Sequence, residues 1–159
     1  MNRVAIEMDS RPENISFARM AVAAFIAPLD PSVDEVSDIK TAVSEAVTNA
    51  IIHGYPSPEI ASEAKQSNAC TDLPIHPAIV RMTLFHQNRA IIIEIADDGV
   101  GIADIATARE PLYTTKAELE RSGLGFTVME SFMDSVAVES TPGQGTKVTL
   151  AKTLASPAV

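Results

Sequence analysis

The sequence predicts an α/β chain of the α+β kind: a two-layer sandwich whose mixed, largely antiparallel sheet carries helices on one face. Two observations carry this reading. From Asp34 to His53 the apolar residues Val36, Ile39, Val43, Ala46, Val47 and Ala50 fall on one arc of a helix. Beyond residue 78, apolar runs come in pairs separated by short turn-forming stretches, the pattern of β-hairpins. Antiparallel strands backed by helices on one side bury both sets of apolar residues.

In chain order, Val4 to Met8 reads as a first strand and Asn14 to Ala27 as an amphipathic helix ended by Pro28. Asp34 to His53 follows as a second helix, closed by Gly54 and Pro56. Gly54 to Pro77 holds Pro56, Pro58, Pro74 and Pro77 and exceeds the usual connection length, so it is expected to be a flexible insertion, with Ala61 to Gln66 able to form a short helix. Ile79 to Phe85 and Ala90 to Ala96 flank His86-Gln-Asn-Arg89 as a hairpin, the second of these reading as a buried strand. Thr127 to Met133 opens a helix, and Val136 to Glu139 and Thr146 to Ala151 flank Thr141-Pro-Gly-Gln-Gly145 as a second hairpin.

A chain of 159 residues suits a single domain, residues 1–159, and its 46% hydrophobic content supplies a core. A net charge of −9 argues against nucleic-acid binding, because a phosphate backbone would be repelled. A protein partner is the expectation. The single cysteine, Cys70, precludes an internal disulfide. The longest apolar stretch, Ala21 to Ala27, is far short of the roughly 20 residues of a spanning helix, and the N-terminus lacks a leader pattern; together these predict a cytoplasmic protein without a membrane anchor. Cys70, His76 and His86 lack metal-ligand spacing and read as structural or solvent-facing.

Three blocks carry chemistry. Glu45 and Asn49 lie one turn apart on the helix, roughly 40° from each other and away from the core arc. A carboxylate there can take a proton from a hydroxyl and an amide oxygen can ligate Mg2+, although a solvated helix face gives the same pattern. Asp97-Asp-Gly-Val-Gly-Ile102 follows a strand; its glycines allow close approach and Asp97 can accept a hydrogen bond from the exocyclic amine of adenine, while a plain turn accounts for the same residues. Arg121-Ser-Gly-Leu-Gly-Phe126 precedes a helix, whose free amides suit phosphate. Between the last two blocks, Ala103 to Ser122 is polar; with Thr114, Thr115 and Lys116 it can act as a lid on a terminal phosphate, or as a loop without such coupling.

The order of these blocks resembles the Bergerat-type ATP-binding fold shared by DNA gyrase, sensor histidine kinases and mismatch-repair ATPases. Ser16 to Met20, Val22 to Phe25, Ile39-Lys40, Ser44 to Tyr55, Pro111 to Lys116 and Glu118 to Phe126 are similar to the anti-sigma F factor family, and the similarity covers nearly the whole chain. The resemblance implies ATP and Mg2+ as cofactors, Glu45 as the activator of a seryl hydroxyl, Asn49 as Mg2+ ligand and Asp97 as reader of adenine, with Gly99 and Gly101 shaping the pocket. Gly123 and Gly125 would approach the phosphates, Arg121 or Ser122 would reach them from the lid, and Thr146 would assist adenine binding. Arg19, exposed on the first helix, matches a partner-docking position, whereas His53 reads as a helix-end hydrogen-bonding residue.

The implied activity is twofold. Such a protein sequesters sigma factor F in an ATP-dependent manner and phosphorylates a serine of an anti-anti-sigma factor, as a homodimer. The competing readings are the related kinase of the general stress response, a non-catalytic nucleotide-gated binding module and a detached histidine-kinase domain. Gly54 to Pro77 departs from the family by its length, which bears on the neighbouring partner surface.

Overall fold

The computed structural model describes residues 1–55, 78–110 and 124–156. The chain adopts the two-layer α+β arrangement. Strands β1 (Asn2–Asp9), β2 (Ile79–Gln87), β3 (Ala90–Asp97), β4 (Ser135–Thr141) and β5 (Gly145–Thr153) form one sheet in the order β1-β2-β3-β5-β4. Each of its neighbouring pairs is antiparallel. Helices α1 (Glu13–Ile26), α2 (Val33–Asn49) and α4 (Gly125–Phe132) make the second layer, α2 packing between α1 and α4.

The core lies between the layers. Met82, Leu84, Ile91, Ile93, Ile95, Val148 and Leu150 point from the sheet into Val22, Ile26, Ile39, Val43, Val47 and Met129. Strict alternation puts Ile92 on the opposite face, where it is 42% exposed. The continuous isoleucine run therefore belongs to a strand covered on one side, where the sequence reading expected a buried strand. Ala42 joins the expected core residues of α2, and Val36 packs at the core edge.

Local chemistry sets the boundaries. α1 ends at Ile26, and Ala27–Leu29 continues as a 3-10 turn containing Pro28, closed by Asp30 at φ 48°. A capping box opens α2: the Ser32 hydroxyl accepts from the Glu35 amide at 3.2 Å while the Glu35 carboxylate accepts from the Ser32 amide at 2.8 Å. The other Glu35 oxygen accepts from the Ala155 amide at 2.7 Å, tying the end of the chain's last described segment to the start of α2. The β2–β3 turn is tighter than expected, with Gln87 already paired to Ala90 and Asn88 at φ 54°. Arg89 in this turn donates to the Leu29 carbonyl at 2.6 Å and to the Leu154 carbonyl at 3.2 Å.

Two departures from the sequence reading position the site. α2 does not run unchanged to His53; its last part, Ala50–Gly54, widens into a π-helical turn. α4 starts at Gly125, two residues earlier than expected, and ends where Lys152 Nζ donates to the Phe132 carbonyl at 2.6 Å. A short helix, α3 (Ile105–Ala108), also forms in the stretch read as polar loop, capped by Asp104 accepting from Thr107.

Candidate active site

Glu45 and Asn49 face the first turn of α4. A Cβ placed on Gly125 would lie 3.2 Å from Glu45 Oε2, 3.4 Å from Asn49 Nδ2 and 3.5 Å from Asn49 Oδ1. Both side chains are half-buried in the seam between α2 and α4, which distinguishes them from an ordinary solvated face. The seam brings together a proton-accepting carboxylate, a metal-competent amide oxygen and the start of a helix, whose first amides have no partners within the helix.

The second centre is Asp97 at the end of β3, the buried charged residue among those described, at 5% exposure. Burial pushes its carboxyl above the usual aspartate range, against the lowering effect of backbone amide hydrogen bonds from Gly99 and Thr146. The Gly99 amide donates to Asp97 Oδ1 at 2.9 Å. Gly99 is required by proximity, since a Cβ would fall 1.8 Å from the Gly54 carbonyl oxygen. Gly101 is required by conformation, at φ 70° with the Thr141 carbonyl 2.3 Å from where its Cβ would stand.

Thr146 sits directly across from Asp97 in the β3–β5 register. Its hydroxyl lies 2.9 Å from Ser140 Oγ, which donates to the Gly145 carbonyl at 2.9 Å and accepts from the Ile102 amide at 2.7 Å. The single Ser140 proton is thus committed, leaving the Thr146 hydroxyl to donate to Ser140. An open cleft of about 260 Å³ borders this end of the sheet, lined among others by Arg81, Asp97, Asp98, Ser140, Thr146 and Lys147.

Of the residues singled out from the sequence, Glu45, Asn49 and Gly125 meet at the α2–α4 seam, and Asp97, Gly99, Gly101 and Thr146 meet at the sheet end. Arg19 is exposed on α1 beside Phe17 and Met20, themselves 51% and 62% exposed. Thr114, Thr115, Lys116, Arg121, Ser122 and Gly123 lie outside the described residues, as do Cys70, His76 and the stretch from Ala61 to Gln66. The sequence reading did not include Ser140, whose role depends on strand register, or the contact of Gly54 with Asp97. A Cβ on Gly54 would stand 2.8 Å from Asp97 Cγ.

Residues 8–152 match the family model of the histidine kinase-like ATPase domain. The chain is 49% identical to the anti-sigma F factor of Clostridium beijerinckii over 151 residues, 95% of this chain and 94% of that one. Against the anti-sigma F factor of Bacillus licheniformis the identity is 48% over 153 residues, 96% of this chain and 93% of the relative. Among solved structures, the RsbU and RsbW domains of Rv1364c from Mycobacterium tuberculosis superpose with a TM-score of 0.63 at 15% identity. That match covers 99% of this chain and 34% of the larger one, and its low identity makes it a likeness of fold. No helix of the described residues is long and apolar enough to cross a membrane.

Proposed function

Given that this chain belongs to the histidine kinase-like ATPase domain family and, within it, to the anti-sigma F factors, we propose that it is an ATP-dependent protein-serine kinase that also sequesters a sigma factor. The sigma factor is sigma factor F, held in the ATP state, and the phosphate acceptor is a serine of an anti-anti-sigma factor. The protein acts in the cytoplasm during sporulation as a homodimer, and residues 1–159 form one domain with an insertion in the stretch 54–77, of which Gly54 and Tyr55 belong instead to the frame of the site.

The observation that carries the kinase reading is the approach of Glu45 and Asn49 to the first residue of α4. Glu45 takes the proton of the seryl hydroxyl, and Asn49 offers its amide oxygen as a Mg2+ ligand. Mg2+, when bound, neutralises charge on the phosphate oxygens. Gly125, lacking a side chain, puts no Cβ between the α4 start and the Glu45 and Asn49 side chains, and the first amides of a helix suit phosphate. Asp97 accepts the adenine amine with the carboxylate oxygen that Gly99 does not engage, and the Thr146 hydroxyl lies across the strand pair to support it. The residues fit the nucleotide in a further respect: Gly54 puts no side chain against the Asp97 carboxyl, where a Cβ would stand 2.8 Å from Cγ. Thr114, Thr115, Lys116, Arg121, Ser122 and Gly123 complete the phosphate side, and Arg19 docks the protein partners.

The deciding experiment mixes the protein with labelled Mg-ATP or Mg-ADP, the sigma factor and the anti-anti-sigma factor, and records complex mass and label transfer. Sigma retention with Mg-ATP together with phosphoserine on the second partner supports the proposal; phosphohistidine or no transfer overturns the kinase assignment. Glu45→Ala separates the kinase from a nucleotide-gated binder. Label transfer is expected to fall by about 10²–10⁴-fold with Mg-ATP binding retained, and unchanged transfer removes Glu45 as the base.

A further inference from the structure

Tyr55 follows the π-helical turn and stands outside both clusters of the candidate site, yet it touches the turn that carries Asp97. Its hydroxyl donates to the Ile79 carbonyl at 2.7 Å and accepts from the Asp98 amide at 3.0 Å. One residue earlier, the Gly54 carbonyl accepts from the Val100 amide at 2.8 Å, and the Gly54 Cα faces the Asp97 carboxyl so closely that a Cβ would be 2.8 Å from Oδ1. The Asp98 carboxylate is paired with Arg81 of β2, which also holds that acid below its usual range. The turn that follows Asp97 is thus fixed at three points: through the Asp98 amide to Tyr55, through the Val100 amide to Gly54, and through the Asp98 side chain to the sheet.

Five residues upstream of Gly54 lies Asn49, on the same continuous helical segment. The π-helical turn lets the end of α2 reach the β3 exit while Glu45 and Asn49 remain against α4. We propose that Tyr55, together with the Gly54 backbone, is a positioning clamp that sets the base-reading Asp97 at a fixed offset from Glu45 and Asn49, and so determines purine selectivity without contacting the nucleotide. The proposal rests on the nucleotide-site reading above and deepens it. The phenol is suited to the task because one hydroxyl both donates and accepts, joining the start of β2 to the turn after β3. Phenylalanine preserves the ring and loses only the bridge.

The test compares the full-length protein with Tyr55→Phe, Asp97→Asn and the double variant by calorimetry with Mg-ATP and with Mg-ITP, whose base carries a carbonyl in place of the adenine amine. Tyr55→Phe is expected to weaken Mg-ATP by about three- to tenfold while Mg-ITP is little changed, narrowing the ratio between them. On the Asp97→Asn background the phenol should cost nothing further. A general loss of folded protein would lower binding stoichiometry and leave the ATP-to-ITP ratio as it was. An unchanged ratio in Tyr55→Phe, or an undiminished effect in the double variant, overturns the clamp while wild-type Mg-ATP binding leaves the site reading intact. Failure of wild type to bind Mg-ATP overturns both. Amide exchange gives a readout independent of ligand: the Asp98 and Val100 amides should exchange faster in Tyr55→Phe while amides within β3 do not, and equal protection in both proteins counts against the clamp.

Discussion

At the scale of single residues, Asp97 concentrates the most consequence. Its carboxyl is raised by burial, so in the folded chain it binds a proton at higher pH than it does unfolded. The sign follows from linkage: Asp97 favours the unliganded fold most below its unfolded pKa, and that contribution is lost as pH rises through the folded value. Under the proposed role of Asp97 in base recognition the dependence runs the other way, since the ionised carboxylate is the better acceptor of an amine proton. Mg-ATP affinity is therefore expected to drop on acidification at a pH above that of an ordinary aspartate, while thermal stability of the free protein gains from Asp97 over the same range. Titration of affinity and melting temperature against pH, in wild type and Asp97→Asn, checks both slopes; parallel profiles in the two proteins would contradict the assignment. The placement of Asp97 was legible in the sequence because it ends a strand just ahead of Gly99 and Gly101. Ser140 and the Gly54 contact were not, because strand register and the π-helical turn bring them there.

At the scale of elements, α4 shows stability and chemistry in opposition. Glycine at its first position is a poor helix former, and alanine there would favour the helix by up to about 1 kcal/mol. The added methyl would stand 3.2–3.5 Å from the Glu45 and Asn49 side chains, whose far ends must then shift by tenths of an ångström. Gly125→Ala is expected to melt at the same or slightly higher temperature while phosphoryl transfer falls by about tenfold or more, because small misplacement of reacting groups is costly. Equal transfer rates would show that the seam tolerates the methyl. α2 was readable because its apolar arc is strictly periodic and buried as expected at Ile39, Val43, Ala46 and Val47. Its opening was not read: the sequence reading began the helix at Asp34 without the Ser32–Glu35 capping box. The widening at Ala50–Gly54 has no such signature: it follows from packing against the β3 exit. The run Ile91 to Ile93 misled for a related reason, since composition cannot say whether a second layer covers a strand, and here Ile92 faces outward.

For the molecule as a whole, Arg89 joins segments distant in sequence. Its guanidinium ties the β2–β3 turn to the connection between α1 and α2 and to the end of β5, through the Leu29 and Leu154 carbonyls. Arg89→Ala should lower unfolding free energy by about 1.5–3 kcal/mol, as for hydrogen bonds made by a charged group, with Mg-ATP affinity of the folded protein unchanged. Chemical denaturation and calorimetry together check this, and an altered affinity would mean that the tie also shapes the site. The two hairpins and the helix layer were legible from patterning, whereas the order of the strands across the sheet and such long-range ties depend on tertiary closure.

The Lys152 ammonium at the tail of α4 has a reach beyond the carbonyl it caps. A helix of 8 residues spans about 12 Å and behaves as a macrodipole, its head positive and its tail negative. With a cation seated on the negative pole, the opposing charge is offset over the last turn, and the same ammonium lies 3.8 Å from the Asp38 carboxylate of α2, so one charge both caps α4 and ties it to α2. The far rim of the core thereby braces the two helices whose opposite ends carry Glu45, Asn49 and Gly125.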